Sequence, residues 1–357
     1  MHQLHDVEIA ERLLHHLAHA FGCPDAVYLA GPVRIQGGFD AAIFGFTLDR
    51  VPPPLVGPLI LRLGHANADP VRVKLETVVQ NTLAEMGFPA PRVMATESDP
   101  GVLGGPFMVM TRLSGQTLAH GIEGFGAGTS LVGQLQLLLN LPGIFARIID
   151  QWVDMQLRLH QLPAEPLLRA VTTAGIDAGA ITFEGQLARL RTIVERSALT
   201  GLQPGLAWLD NRRPSQPREA AICHGDFHPL NILADQNQPT GVIDWANAVI
   251  AEPAMDVGSA IANISAVPLS LPRALRVAAH AVIGTSLRRY KRVYRRLRPL
   301  DDQAVLYYEV FRAIDQLVGV GQARAAGRVG GAFHSAAGVG NLIALIRKLS
   351  GVSLRFE

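Results

Sequence analysis

Lysine is nearly absent from this chain. Of 32 basic residues only Lys74, Lys291 and Lys348 are lysines, so chemistry that needs an ammonium group has three positions to draw on. Cysteine is scarcer still. Cys23 and Cys223 lie far apart, form neither a disulfide framework nor a metal-ligand spacing, and read as small buried hydrophobes. Charged residues make up 17% of the chain and the net charge is +2, which argues against a protein drawn to nucleic acid by bulk electrostatics. No G-x-x-x-x-G-K-[ST] occurs, which excludes a P-loop site, and the absence of H-E-x-x-H and of Cys/His clusters weighs against the usual zinc hydrolases. No apolar run reads as approaching the roughly 18 residues that a membrane span needs. The N-terminus carries His2, Asp6, Glu8 and Glu11 where a secretory leader wants a basic and then an apolar stretch. The expected setting is cytoplasmic, with neither nucleic acid nor membrane as partner.

What is there is a globular chain of 357 residues, 48% hydrophobic, enough for one large domain or two lobes. Leu4, Val7, Leu14, Leu17 and Phe21 recur at helical spacing and open the chain with an amphipathic helix. Val33–Ile35, Ala42–Leu48 and Leu59–Leu63 read as strands, Asp69–Met86 as a helix closed by Gly87 and Pro89, and Arg92–Ala95 and Pro106–Leu113 as two more strands. After Leu113 the pattern becomes helical, with strong helices over Phe145–Leu162 and Glu184–Ala198 and mostly helix from Ala254 to Leu349. The stretch Gln203–Arg218, with Pro204, Pro214 and Pro217, reads as a surface connection. The expected division is a strand-rich lobe over 1–113 and a helical lobe over 114–357, an α+β chain.

The chemistry concentrates in HGDFHPLNIL, residues 224–233. It stands on a tight loop after the apolar run Ala221–Cys223 and before a second strand at Ile232. A metal-chelating loop, an inert polar turn and the catalytic loop of a phosphoryl-transfer enzyme are the three readings. The first lacks further ligands at metal spacing, and the second leaves GVIDW, residues 241–245, unexplained, because that strand delivers Asp244 at its end. The third has the right spacing. His224, Asp226 and Asn231 fit H-x-D-x-x-x-x-N, in which the Asp faces the acceptor hydroxyl and the Asn holds a metal. A carboxylate at a strand end with an Asn nearby suits Mg²⁺, a hard cation that takes oxygen ligands.

Together HGDFHPLNIL and GVIDW resemble the aminoglycoside phosphotransferase and choline kinase family, and features elsewhere in the chain point toward either its macrolide phosphotransferase branch or its hydroxyacyl-CoA kinase-like branch. The resemblance implies a bilobal protein-kinase-like fold, with one helix inserted in the small lobe and a large helical lobe. It also implies ATP or GTP as phosphoryl donor, Mg²⁺, and a small-molecule hydroxyl acceptor. Carried over residue by residue, it assigns Asp226 and His224 to catalysis, His224 as a scaffold behind the loop, and Asn231 and Asp244 to the metal. Gly37 and Gly38 fall on the phosphate-covering hairpin, Arg62 of LILRL pairs with phosphate, and Glu76 is its ion-pair partner. Met110 and Arg112, in FMVMTRLSG, lie on the hinge beside the nucleotide base, and Asp256 of EPAMDVGSA braces the catalytic loop. Three departures stand out: the phosphate-pairing residue is an arginine rather than the lysine of many kinases, the glycine loop at Gly37-Gly38 is short and is not G-x-G-x-x-G, and Thr111 occupies a hinge position where an acidic residue is frequent.

The acceptor is less constrained, because fold does not fix substrate. A polycationic aminoglycoside wants carboxylates, whereas the C-terminal helices here are richer in arginine. The run RRYKRVYRRLR (288–298) reads as a solvated helix face, or else as a site for an anionic acceptor such as a hydroxyacyl-CoA. SLVGQLQLLLNLPG (130–143) reads first as core; the alternative is an apolar wall over a lipophilic acceptor, with Gly121, Gly124, Gly126 and Gly128 as hinges of a lid. His228 and Asp235 read as loop residues. A nucleotide-binding protein without turnover is the alternative from another class.

Overall fold

The structure, a computed structural model, describes residues 5–35, 41–66, 68–120, 130–214, 219–328 and 330–356. Gly37 and Gly38 lie outside them, as do Gly121, Gly124, Gly126 and Gly128. The described chain divides into two compact units. One is Met1–Gly115 with Pro166–Ile176 and Thr240–Ala246; the other is Gln116–Glu165 with Asp177–Pro239 and Asn247–Glu357.

The first unit begins with α1 (Asp6–Ala20), β1 (Val27–Ile35), β2 (Ala41–Asp49) and β3 (Pro58–Gly64), then α2 (Pro70–Glu85), β4 (Val93–Glu97), the short α3 (Pro100–Leu103) and β5 (Phe107–Thr111). The strands form one antiparallel sheet in the order β1-β2-β3-β5-β4. Period-two alternation sorts the residues of its central strands. Phe44, Phe46 and Leu48 on β2 and Leu59, Leu61 and Leu63 on β3 join Leu13 and Leu17 of α1 in one core. Arg62, between two of those leucines, therefore points to the opposite face. β1 is longer than the sequence reading because it is the edge strand: Gly31 and Pro32 mask it, and register shifts at residues 28–33 accommodate them. Helix α2 starts where Asp69 caps it, its carboxylate accepting the Val71 N–H at 2.9 Å, with Pro70 preset in the first turn.

The second unit continues with β6 (Gln116–Thr117), α4 (Leu131–His160), α5 (Ala164–Thr173, most of which belongs to the first unit), α6 (Phe183–Arg196), α7 (Gln203–Asn211), β7 (Ala221–Cys223) and β8 (Ile232–Asp235). β9 (Gln238–Val242) carries the chain back to the first unit, and β10 (Val249–Ala251), α8 (Ala254–Ala266), α9 (Arg273–Leu297), α10 (Asp302–Ala325) and α11 (Ala336–Ser350) complete the second. An antiparallel sheet in one unit and a mainly helical second unit make the chain α+β, as expected.

Three expectations need correction. The stretch over 203–211 is helical, because Pro204 occupies the first turn, where its missing N–H costs nothing. Residues 131–143 are not a separate buried segment: α4 runs through Pro142 as one 30-residue helix. Its early leucines split by face, with Leu138 and Leu141 buried while Leu131, Leu135 and Leu139 are 66%, 47% and 71% exposed. Among the described residues α4 is also the one helix long and apolar enough to cross a membrane by length and composition, although polar residues interrupt its apolar runs. Its second half is tied into the unit by Trp152, which stacks on Tyr290 at 3.8 Å and donates to the Phe227 carbonyl at 3.2 Å.

Candidate active site

In the first unit, β3 and α2 bring Arg62 and Glu76 together. The guanidinium meets the Glu76 carboxylate at 2.5 Å, and Glu76 is 5% exposed. Burial pushes the Glu76 carboxyl up; Arg62 opposes that, while Asp244 adds to it. Gln80, one turn on, reaches the other Glu76 oxygen at 3.5 Å and the Met108 sulfur at 3.6 Å. A second Arg62 nitrogen lies 3.7 Å from Asp244, whose carboxylate is 48% exposed. Arginine at this position thus makes the ion pair that the sequence pattern demands, and its second terminal nitrogen faces Asp244.

Asp244 follows β9 at a backbone φ of +66°, a region that non-glycine residues rarely occupy. Its neighbours hold that geometry. The Val242 N–H donates to the Pro89 carbonyl at 2.8 Å, Trp245 packs edge-on against Phe88, and Arg72 donates to the Ala246 carbonyl at 3.0 Å. Of the hinge residues, Met110 pairs with Ile60 across the β3–β5 ladder, and the Arg112 N–H donates to the Pro58 carbonyl at 2.9 Å. The Arg112 side chain lies over Gly45, where a Cβ would come within 3.0 Å of its guanidinium. Thr111 is occupied by structure, accepting the Arg92 N–H at 2.9 Å.

In the second unit, the loop between β7 and β8 is held from behind by Asp256 of α8. One carboxylate oxygen accepts the His224 N–H at 2.9 Å and the other the Gly225 N–H at 2.6 Å. Gly225 has φ +78°, and a Cβ there would collide with the Asn247 carbonyl, so only glycine fits this turn. Asp256 is itself gripped by His160, whose Nε2 is 3.0 Å away while Nδ1 meets the Tyr294 hydroxyl at 2.6 Å. With a carboxylate on Nε2, that nitrogen carries the hydrogen and Nδ1 accepts from the tyrosine. His160, Cys223 and Asp256 form the one His/Cys/Asp/Glu cluster with metal-ligand spacing among the described residues. Both Asp256 oxygens already accept loop N–H groups, and burial, then Asp256, pushes the Cys223 thiol well up, so it stays protonated. The cluster is a brace.

His224 is fully buried, and its Nδ1 accepts the Asp226 N–H at 3.2 Å. That engagement fits a scaffold rather than a proton acceptor for substrate. Asn231, 8% exposed, donates its amide to the Asp226 carbonyl at 3.0 Å, which turns its oxygen, a hard ligand atom, to the other side. The Asp226 carboxylate is 15% exposed and lies 3.2 Å from Arg312 and 3.3 Å from His228. Burial pushes this carboxyl up, but Arg312, then His228 and His224, outweigh it and hold it far below the ordinary carboxylate range. His228 is therefore more than a loop residue. Sequence reasoning missed Arg312 and Asn263, which stand on α10 and α8 with no motif around them.

The arginine-rich run lies on α9, with Tyr290 and Tyr294 buried and Arg288, Arg292, Arg295 and Arg296 exposed. Lys291 and Arg295 pair with Asp302, and Arg298 donates to the His160 carbonyl at 2.8 Å. It is a solvated face with local ion pairs.

An aminoglycoside 3'-phosphotransferase of Streptomyces fradiae is 32% identical over 117 residues, which are 32% of this chain and 43% of that protein. The human acyl-CoA dehydrogenase family member 11 is 24% identical over 195 residues, 52% of this chain and 22% of that protein. The chain thus spans less than half the length of either relative. Among solved structures, aminoglycoside phosphotransferase APH(4)-Ia superposes with a TM-score of 0.52 at 17% identity, covering 96% of this chain and 100% of that one, and so shares the fold. The model of the phosphotransferase enzyme family (APH) matches residues 33–300, well over half of the chain. This chain belongs to the phosphotransferase enzyme family.

Proposed function

We propose that this protein transfers the terminal phosphoryl group of ATP or GTP to a hydroxyl of a small molecule, in the manner of the antibiotic kinases. The observation that carries the reading is the loop itself: Asp256 holds two consecutive N–H groups of His224 and Gly225, and the loop so fixed presents an ionised Asp226 that is nearly out of solvent. In support, an APH(4)-Ia variant of this fold was solved in a ternary complex with ADP and hygromycin B.

The first unit is the nucleotide side in this reading. Arg62, steadied by Glu76, pairs with phosphate, and Met110 and Arg112 border the base. Asn231 and Asp244 supply oxygen ligands to Mg²⁺, which when bound neutralises the charge of the phosphates. Asp226 accepts a hydrogen bond from the acceptor hydroxyl and aims its oxygen at the terminal phosphorus. A new P–O bond forms there as the bond to the leaving nucleoside diphosphate breaks, the diphosphate keeping the electron pair. A carboxylate held so far below its ordinary range is a weak base. It therefore works mainly by orientation, and the hydroxyl proton passes to it late, once the attacking oxygen has become acidic.

Within this class the exposed Leu131, Leu135 and Leu139 of α4 favour a lipophilic alcohol over a polycation. A cytoplasmic setting and a contribution to antibiotic resistance belong to the same reading. The test is a transfer assay with MgATP and MgGTP across aminoglycosides, macrolides and short hydroxyacyl thioesters. Mass spectrometry should find one class gaining a single phosphoryl group. Tight nucleotide binding with no transfer to any hydroxyl would favour a binding protein without turnover.

A further inference from the structure

The motif that delivers Asp226 does not explain how its carboxylate is held. Oδ1 accepts from the Asn263 amide at 2.6 Å and lies 3.3 Å from His228 Nε2; Oδ2 lies 3.2 Å from an Arg312 nitrogen. Asn263 cannot be reversed. Its oxygen accepts from Arg312 Nε at 3.3 Å, a group that can only donate, and from Gln316 at 3.2 Å, so with a carboxylate on the other side its NH₂ must face Asp226. Arg312 does three things with one planar fork: Nε orients Asn263, one terminal nitrogen meets Asp226, and the other meets Asp315 at 2.9 Å. Its side chain is only 6% exposed.

A buried guanidinium between two carboxylates is a poor route to stability, since apolar residues of the same volume often do as well or better. What it does supply is direction. The parent elements are stiff: α8 and α10 pack along most of their lengths, and Gly258 of α8 has no space for a Cβ beside the Val305 carbonyl. A carboxylate has about four acceptor positions, two per oxygen. Among the described residues both on Oδ1 are engaged and one of two on Oδ2, so Oδ2 keeps one for an incoming hydroxyl.

We propose that Arg312 and Asn263 are positioning residues for phosphoryl transfer, a clamp from α10 and α8 that fixes the Asp226 carboxylate so that Oδ2 is the atom receiving the acceptor hydroxyl. The proposal rests on the phosphotransferase reading of Asp226 above. It predicts a defect in turnover rather than in binding, because a reacting group displaced by about 1 Å can cost on the order of 100-fold in rate.

The test uses the full chain, with MgATP and the fastest acceptor from the transfer panel, and MgATP hydrolysis alongside. Arg312→Met and Asn263→Ala should each lower kcat about 100-fold while the nucleotide KM stays within about threefold. Arg312→Lys should recover no more than about tenfold, because an ammonium cannot serve Asn263, Asp226 and Asp315 in one plane. Gln316→Ala loses only one of the two donors orienting Asn263 and should cost about three- to tenfold in kcat, so it decides the matter if the larger changes do not fold. The clamp is overturned if kcat stays within threefold in folded Arg312→Met, or in Gln316→Ala where that variant must decide. It is equally overturned if nucleotide KM rises and thermal stability falls along with the loss of kcat in every variant, which is plain structural support. Full turnover by Asp226→Ala would sink the underlying reading instead, a result that no outcome at Arg312 mimics.

Discussion

Each unit sets an arginine between two carboxylates, and the two do opposite things. Arg62 is 20% exposed and uneven in its contacts, 2.5 Å from Glu76 but 3.7 Å from Asp244, and Asp244 is half in solvent. Arg312 is 6% exposed, within 3.2 Å of both Asp226 and Asp315. The Glu76 carboxyl is pushed up by burial despite its arginine, whereas Asp226 is driven far down because Arg312 is joined by two histidines. The looser arrangement keeps the Asp244 carboxylate half exposed, open to a cation, beside a guanidinium that is itself partly exposed. The tight one leaves nothing adjustable, which suits a group whose work is to aim a hydroxyl.

The comparison breaks most severely at Asp244. Asp244→Asn keeps the shape and removes the charge, and should lower turnover about 10³-fold, the scale of losing a preorganised electrostatic partner of the transferring group. It should also shift half-saturation by Mg²⁺ upward in a metal titration; unchanged metal dependence would place the ligands elsewhere. Next comes Glu76→Gln, which leaves Arg62 without its buried counterion. A loss of about 100-fold in kcat/KM for the nucleotide, with the acceptor KM little changed, is expected from steady-state kinetics.

A smaller effect is expected on α4. Leu135→Ser with Leu139→Ser alters two largely exposed side chains, so unfolding curves should move little. If that face meets a lipophilic acceptor, kcat/KM for it should fall by more than about tenfold, at roughly 1.5–3 kcal/mol per leucine buried against ligand. Equal kinetics in the double variant would reduce the face to ordinary surface.

The smallest expected effect is on stability alone. Burial pushes the Glu309 carboxyl of α10 from 4.5 up to about 7, with Lys291 and Lys348 pulling the other way. The unfolded chain therefore sheds this proton first. The contribution to stability is whole below about pH 4.5 and is lost as pH rises through about 7, where the folded state must carry a buried charge. Glu309→Gln should raise the midpoint of thermal unfolding by a few degrees at pH 8, reflecting about 2 kcal/mol, and leave it unchanged at pH 4. A shift of equal size at both pH values would point to packing.

What was legible in the sequence was local. Residues 224–231 and 241–245 carry their chemistry at fixed spacing, and the Asp69-Pro70 pair announces α2 as clearly as a cap can. Two kinds of feature escaped. Asn263 and Arg312 meet Asp226 from helices 37 and 86 positions further on, in stretches that read as ordinary amphipathic sequence. Proline misled at 204, which begins a helix instead of marking a loop, and helix α4 runs through Pro142. The exposure of Leu131, Leu135 and Leu139 was hidden for a related reason, since an apolar stripe at helical spacing looks the same whether a core or a ligand is meant to cover it.

The division of labour between the two arginine sites is tested most directly by titrating nucleotide calorimetrically, with and without Mg²⁺, into folded Asp226→Asn and Asp244→Asn. Asp226→Asn should bind MgATP within about threefold of the unaltered protein, and Asp244→Asn should lose about tenfold or more, with the loss confined to the Mg²⁺-dependent part. If Asp226→Asn weakens MgATP binding as much as Asp244→Asn does, Asp226 belongs to the nucleotide site and its assignment to the acceptor hydroxyl is wrong.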